Sequence, residues 1–427
     1  MLDIKLIRSN PDVVRADLKK RGDKEKQGWL EDLIQKDKEY RQLLVDLEKM
    51  KAGRNQITKR IAELVKVGKD AAEEKKNAAE LPGKIKQAEA SVLELQEKVK
   101  FYLMRLPNIL HDSVPVGKDE TGNVTVREWG NKKKFDFTPK SHVDLIQELD
   151  LADIERAAKI SGARFYYLKN DLVMLEQAVL QFALDRMAKK GFIPISPPAM
   201  MRTEAYEGVT DLAEFETVQY KIEGEDLRMI STAEHPIAAM HMNEILPEEA
   251  LPLKYVGISP CYRKEAGAHG KDTKGIFRVH QFNKVEQYIF CKPEDSWKWH
   301  EELLKNAEEI FQALEIPYRI VNICTRDIGI VAAKKYDIEA WMPTQNAYRE
   351  VVSCSNCTAY QSMRLNIKYG KVGGDKDYVH TLNSTAVATP RALVAIIENY
   401  QNKDGSITVP KVLVPYIGKE KIVKKKQ

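Results

Sequence analysis

The stretch "CYRKEAGAHGKDTKGIFRVHQF", residues 261–282, sets Arg263 and Glu265 two apart, runs through glycines at 267, 270 and 275 among lysines, and returns as alternating polar and apolar residues. "LPLKYVGIS" (251–259) ahead of it and "IFRVHQFNKVEQYIF" (276–290) at its end are rich in β-branched and aromatic residues in alternation, so two strands joined through the charged segment are predicted. A surface hairpin needs a short turn and little else. A charged, glycine-punctuated connection, with charges on the strands as well, points to an anionic ligand.

Side chains two apart on a strand share a face. That places Arg263 with Glu265, and Arg278, His280, Phe282, Lys284 and Glu286 together on the returning strand. Such a face supplies cations for phosphate, a ring for a base and a carboxylate for an amine. The same residues would also serve as salt bridges on a solvated sheet. No phosphate-loop or dinucleotide glycine fingerprint occurs elsewhere, so a bound nucleotide would have to sit on this sheet.

The chain has 427 residues, enough for two or three domains, and 43% of them are apolar, as in globular proteins. A formal net charge of +5 is too small to mark a nucleic-acid binder by itself. The first residues lack the apolar centre of a signal peptide, and no run approaches the ~18 apolar residues of a membrane span, so a cytoplasmic location is expected. Five scattered cysteines (Cys261, Cys291, Cys324, Cys354, Cys357) fit a reducing compartment. Cys354 and Cys357 alone have metal-ligand spacing; without a second pair or a nearby histidine they read as buried thiols beside a site.

The N-terminal quarter carries heptads. Tyr40, Leu43, Leu47, Met50, Arg54, Ile57, Ile61 and Leu64 form one seam, and after Gly68 a second runs from Ala71 to Leu106, with Pro82 expected to kink it or delay its start. Two seams across one turn predict an antiparallel helical hairpin with arms of ~50 Å. It reads either as a coiled-coil spacer or as a device that reaches a large, distant ligand. Lys49, Lys51, Arg54, Lys59 and Arg60 supply the basic stretch that phosphate contact would need, although glutamates are also plentiful there. Before the hairpin, Pro11 and Gly22 bracket a short helix; after it, "PNILHDSVPVGKDETGNVTVREWG" reads as a linker. Helix patterns at 171–191 and across "EDSWKWHEELLKNAEEIFQAL", set among hairpin strands, argue for an α+β fold on an antiparallel sheet.

Several segments together resemble one family. "YRKEAG" with "FRVHQFNKVEQ" resembles motif 2 of class II aminoacyl-tRNA synthetases in its seryl form, "ISTAEHPIAAM" the TAE loop, "YREVVSCSNCTAYQSMR" the metal and ATP segment, and "HTLNSTAVATPRALVAIIENYQ" motif 3, here without that motif's usual glycines. The helix at 171–191 resembles motif 1, the dimer interface. The resemblance spans essentially the whole chain and implies a tRNA-binding hairpin domain over 1–110, a linker over 111–135 and a catalytic domain over 136–427.

The resemblance also implies roles. Arg263 would clamp the α-phosphate and the serine carboxylate, Glu265 would read the adenine amino group, Phe282 and Arg391 would enclose the base, and Arg278 would meet the triphosphate. Lys264, Val351 and Val352 would flank the ATP, and Glu350 with Ser353 would hold Mg²⁺. Thr232, Ala233, Glu234, Glu286 and Thr385 would receive L-serine, leaving open which glutamate takes the amine. The partners implied are tRNA(Ser), tRNA(Sec) and a second subunit, whose bound tRNA the hairpin reaches. An activating enzyme for a carrier protein would lack the hairpin, and a non-catalytic paralogue would lack Arg263, Glu265, Glu350 and Arg391; this chain has all of them. The implied member is of the ordinary type, without zinc in the amino-acid pocket.

Overall fold

The computed structural model describes residues 1–211, 213, 215–265, 274–371 and 373–424. The central part of the glycine-punctuated segment, residues 266–273, and residues 425–427 lie outside the described residues. The chain divides into two compact units, residues 2–106 and residues 107 onward, with Met1 belonging to the second.

The first unit is helical. Helix α1 spans Ile4–Ser9, α2 Pro11–Arg21, α3 Lys24–Lys66 and α4 Ala72–Leu103. Gly22 ends α2 in the left-handed region (φ 67°), as a C-cap glycine does. Asp23 then caps α3, accepting from the Lys26 N–H at 3.0 Å. At 43 residues, α3 is longer than the heptad seam implied. The added turns carry Leu30 and Leu33, both fully buried, in the part of α3 that follows α2 directly. Beyond them Leu47 packs with Ile85, Ala88 and Val92 of α4. Asp32 accepts from Tyr102, Lys51 pairs with Glu89 (3.1 Å) and Arg60 with Glu74 (3.4 Å), a descending register that makes the pair antiparallel. Pro82 lies inside α4 and does not delay its start. It sits on the exposed face, where water can serve the carbonyl that loses its partner.

The second unit is built on an eight-stranded sheet. Its strands are β1 Val124–Trp129, β2 Ile193–Ile195, β3 Leu253–Tyr262, β4 Gln281–Cys291, β5 Tyr318–Asn322, β6 Lys334–Met342, β7 Ala347–Thr358 and β8 His380–Ala388. They lie in the order β1-β5-β6-β7-β8-β4-β3-β2, antiparallel throughout except where β2 joins β3. Strand β1 falls within the stretch that read as linker; its run of six residues among glycines and acids is too short for periodicity to reveal. Helices α5 (Asp171–Lys189), α6 (Ser296–Ala313) and α7 (Thr389–Asn399) contribute to the main apolar core. Among the described residues no helix is long and apolar enough to cross a membrane.

The structure corrects the sequence on one point of local geometry. Strand β4 begins at Gln281, so Arg278 does not share its face with Lys284 and Glu286. Residues 274–280 are irregular, yet Ile276, Phe277 and Val279 are 1–3% exposed. Their alternation records burial, not strand pairing. Gly275 adopts φ 72° against His142, whose Nε2 would be 2.3 Å from an added Cβ, which leaves no room for a side chain. Glu265 likewise lies beyond the end of β3, with φ 48°.

Candidate active site

The centre of the sheet supports a cavity of about 550 Å³. Arg263, Glu265, Arg278, Phe282, Glu286 and Glu350 all line it, as do Thr232, Glu234, Val351, Ser353, Thr385 and Arg391. Ala233 and Val352 are fully buried behind it, and Lys264 is fixed next to it through its N–H to Val218 O (2.8 Å). The basic residues Lys49, Lys51, Arg54, Lys59 and Arg60 belong to the helical unit, where Lys51 and Arg60 are paired across the hairpin, Lys49 lies 3.9 Å from Asp46, and Arg54 and Lys59 are exposed.

One end of the cavity is cationic. Arg263 follows β3, continues its pairing through N–H to His280 O (2.9 Å), donates Nε to Ser231 O (3.2 Å) and lies 5.3 Å from the centre of the Phe282 ring. Arg278 reaches Glu265 at 3.0 Å from its irregular segment. Arg391, in the first turn of α7, donates to Glu350 O (2.9 Å) and lies 3.1 Å from the Glu350 carboxylate. Phe277 seats this cation from below: Arg349 and Arg391 lie 4.6 Å and 5.3 Å from its ring centre. Glu176 of α5 accepts from Thr389 (2.7 Å) and Asn283 (3.3 Å), joining the root of α7 to β4.

Glu350 keeps 46% of its side-chain surface open to the cavity. Enclosure by protein would raise its carboxyl, but Arg391 and Lys335 overcome that and hold it below the ordinary range. Asp337 stands opposite Ser353 in the β6–β7 register, and burial first, then Glu350, pushes its carboxyl up. Its Oδ1 is buried and has no hydrogen-bond partner. Two carboxylates and a hydroxyl, one oxygen of them orphaned, are a donor set that fits a hard divalent cation such as Mg²⁺.

The other end holds two more carboxylates. Glu286 lies on β4 between Gly257 of β3 and Thr385 of β8, and is 1% exposed. Lys284 pairs with it at 2.5 Å, and Thr385 hydrogen-bonds to it. Even so, burial keeps its carboxyl above the ordinary range. Glu234 opens the helix Glu234–Ala239, and its backbone N–H is capped by Thr232 Oγ1 at 3.2 Å. Desolvation first and Glu286 second push its carboxyl up to about 7, and burial with the nearby Lys284 and Arg263 brings His235 down to about 3. Gly257 makes this approach possible: a Cβ there would sit 2.6 Å from Ile237 Cδ1 and 2.7 Å from Ala233 Cβ.

Residues that sequence reasoning assigned no role are Lys284, Phe277, Lys335, Asp337, Asn383 and Gln361. Lys284 was already placed on the Glu286 face, so its pairing could have been found by the two-residue rule. The same rule joins Lys335 to Asp337, 3.5 Å apart on β6, whereas Phe277, Asn383 and Gln361 meet partners distant in the chain. Cys354 and Cys357 are free, buried thiols; Cys357 lines the cavity, and burial pushes both thiols up.

Comparison with known proteins agrees with this architecture. Residues 1–110 match the seryl-tRNA synthetase N-terminal domain, and residues 216–400 match the tRNA synthetase class II core domain (G, H, P, S and T). Fold and site together define a class II aminoacyl-tRNA synthetase. The serine–tRNA ligase of Methanocella arvoryzae is 58% identical over 419 residues, covering 98% of this chain and 99% of that one. That of Thermococcus onnurineus is 54% identical over 444 residues, covering 99% and 97%. The crystal structure of seryl-tRNA synthetase from Pyrococcus horikoshii complexed with ATP is 52% identical, covers all of both chains and superimposes with a TM-score of 0.95. The chain belongs to the seryl-tRNA synthetase family.

Proposed function

We propose that this chain activates L-serine with ATP and transfers it to the 3′ end of tRNA(Ser). The observation that carries this is the division of one cavity into a cationic side, with Arg278 and Arg391, and an acidic, hydroxyl-bearing side, with Glu234, Glu286, Thr232 and Thr385, and with Arg263 between them. The first suits a triphosphate and the second an ammonium with a small hydroxyl.

In this reading ATP lies with its adenine between Phe282 and Arg391 and its amino group on Glu265, flanked by Lys264, Val351 and Val352. Arg278, held on Glu265 at 3.0 Å, turns to the triphosphate. Glu350 and Ser353, with Asp337 behind them, would hold Mg²⁺, which when bound supplies positive charge against the phosphates. Serine sits at the acidic end beside Ala233. Glu286 already has the Lys284 ammonium, whereas Glu234 forms no ion pair among the described residues, so Glu234 takes the substrate ammonium and Glu286 with Thr385 takes the hydroxyl.

Arg263 then lies where the two reactants meet. A serine carboxylate oxygen attacks the α-phosphorus, the bond to the bridging oxygen breaks, and pyrophosphate leaves. The terminal ribose 3′-hydroxyl next attacks the carbonyl carbon of the mixed anhydride and gives up its proton, the bond from that carbon to the phosphate oxygen breaks, and AMP leaves. Positioning and charge neutralisation carry both steps, with no protein nucleophile.

We assign tRNA binding to the helical unit and catalysis to the unit built on the eight-stranded sheet, which takes in β1 from the stretch 111–135 that reads as linker. The α3–α4 hairpin, with exposed Arg54 and Lys59, would read the long variable arm of tRNA(Ser), and of tRNA(Sec) on the same ground, by shape and backbone. Homodimerisation is proposed on the motif 1 resemblance of α5, whose first turn exposes Val173 (36%) and Met174 (49%). The test is exchange of labelled pyrophosphate into ATP, which should depend on serine and fail with alanine.

A further inference from the structure

Gln361 lies in the short helix Tyr360–Leu365 and is 0% exposed. Its amide nitrogen donates to Val209 O (3.1 Å) and to Glu234 Oε1 (2.9 Å). Its carbonyl oxygen accepts from Tyr288 Oη (2.8 Å) and Thr381 Oγ1 (2.8 Å). Both protons and both lone pairs of the amide are therefore used. Flipping the amide would set its oxygen against a carbonyl and a carboxylate, so the donor must face Glu234. Asn383 adds a second donor to the same oxygen at 3.1 Å. Glu234 Oε1 is thus held twice, and Oε2 receives no hydrogen bond among the described residues.

From this arrangement we infer that Gln361 is a positioning residue for substrate-amine binding, acting through Glu234. The inference rests on the serine reading of the acidic end. Nothing in the amide touches ATP or the reacting atoms. Tyr288 and Thr381, both fully buried, fix the amide, and the amide fixes the carboxylate. An ammonium arriving at Oε2 therefore meets an oriented acceptor, and the cost of ordering it is met in folding.

The test is steady-state pyrophosphate exchange by the full chain. Gln361→Met keeps the volume and removes both donors. The expected result is a rise of about 10- to 100-fold in the KM for serine, as for loss of a charge-assisted hydrogen bond, with the KM for ATP unchanged. The serine-to-threonine ratio of kcat/KM should also hold, because both amino acids present the same ammonium. Asn383→Ala should move the serine KM the same way by a smaller factor, and it decides the matter alone if Gln361→Met fails to fold. An unchanged serine KM, or serine and ATP KM rising together with a changed serine-to-threonine ratio, would overturn the inference. Absence of serine-dependent exchange in the parent chain would overturn the serine reading and this inference with it; exchange in the parent with unmoved variants would overturn this inference alone.

Discussion

The ammonium of Lys284 lies 2.5 Å from the carboxylate of Glu286, two residues along the same strand, with their side chains 7% and 2% exposed. Lys284→Met would leave a buried carboxylate without its counter-charge, a change that costs about 3–5 kcal/mol in buried pairs. Glu286 already has a raised carboxyl pKa, and loss of Lys284 raises it further. The penalty should therefore be full at pH 8 and shrink as the pH falls and the carboxyl takes up a proton. Chemical denaturation of the single variant and of Lys284→Met/Glu286→Gln across that range checks this: the double variant should recover most of the loss.

Glu234 predicts a conflict between stability and activity. Its folded carboxyl sits at about 7, above the unfolded value of about 4.3. A raised folded pKa means that stability is complete below the unfolded value and is lost as the pH rises through the folded one. Glu234→Gln removes that loss. It should be more stable than the parent by about 1–3 kcal/mol at pH 8 and no different near pH 4. The same variant should raise the serine KM by at least about 100-fold, since a neutral amide cannot pair with the ammonium. Melting curves at the two pH values and exchange kinetics would check both halves.

Arg263→Ala should cut adenylate formation by about 100- to 1,000-fold while sparing the fold. The side chain spans the Phe282 ring and Ser231 O at the junction of the cavity's two ends, and loss of such a charge typically lowers the rate by that factor. Exchange of pyrophosphate at the parental rate by a folded variant would contradict this assignment.

Much of this architecture was legible because the physics that shapes it is local. The heptads from Tyr40 to Leu64 describe a helix that must cover an apolar seam, and α3 and α4 follow from them. The first turns of α3 escaped because Asp37, buried against Arg8 and Arg41, interrupts the apolar spacing that leads from Leu30 and Leu33 to Tyr40. At the site, strand alternation placed Lys284 and Glu286 together, and Thr385 came from the motif 3 resemblance. Alternation failed at Arg278, where Phe277 and Val279 are buried without being paired in the sheet. Gln361 and Asn383 were illegible for a different reason: both lie within segments that carry the resemblance, but each meets Glu234 across more than 100 residues of chain, and no spacing rule links them.

The most direct test of the account is charging of bulk tRNA with labelled serine, with threonine, alanine and glycine alongside and a variant lacking residues 30–106 as control. Acid-precipitable label should form with serine only and be lost when the hairpin is removed, even though serine-dependent pyrophosphate exchange persists. Label from another amino acid, or none from serine under conditions where the parent chain exchanges pyrophosphate, would contradict the account.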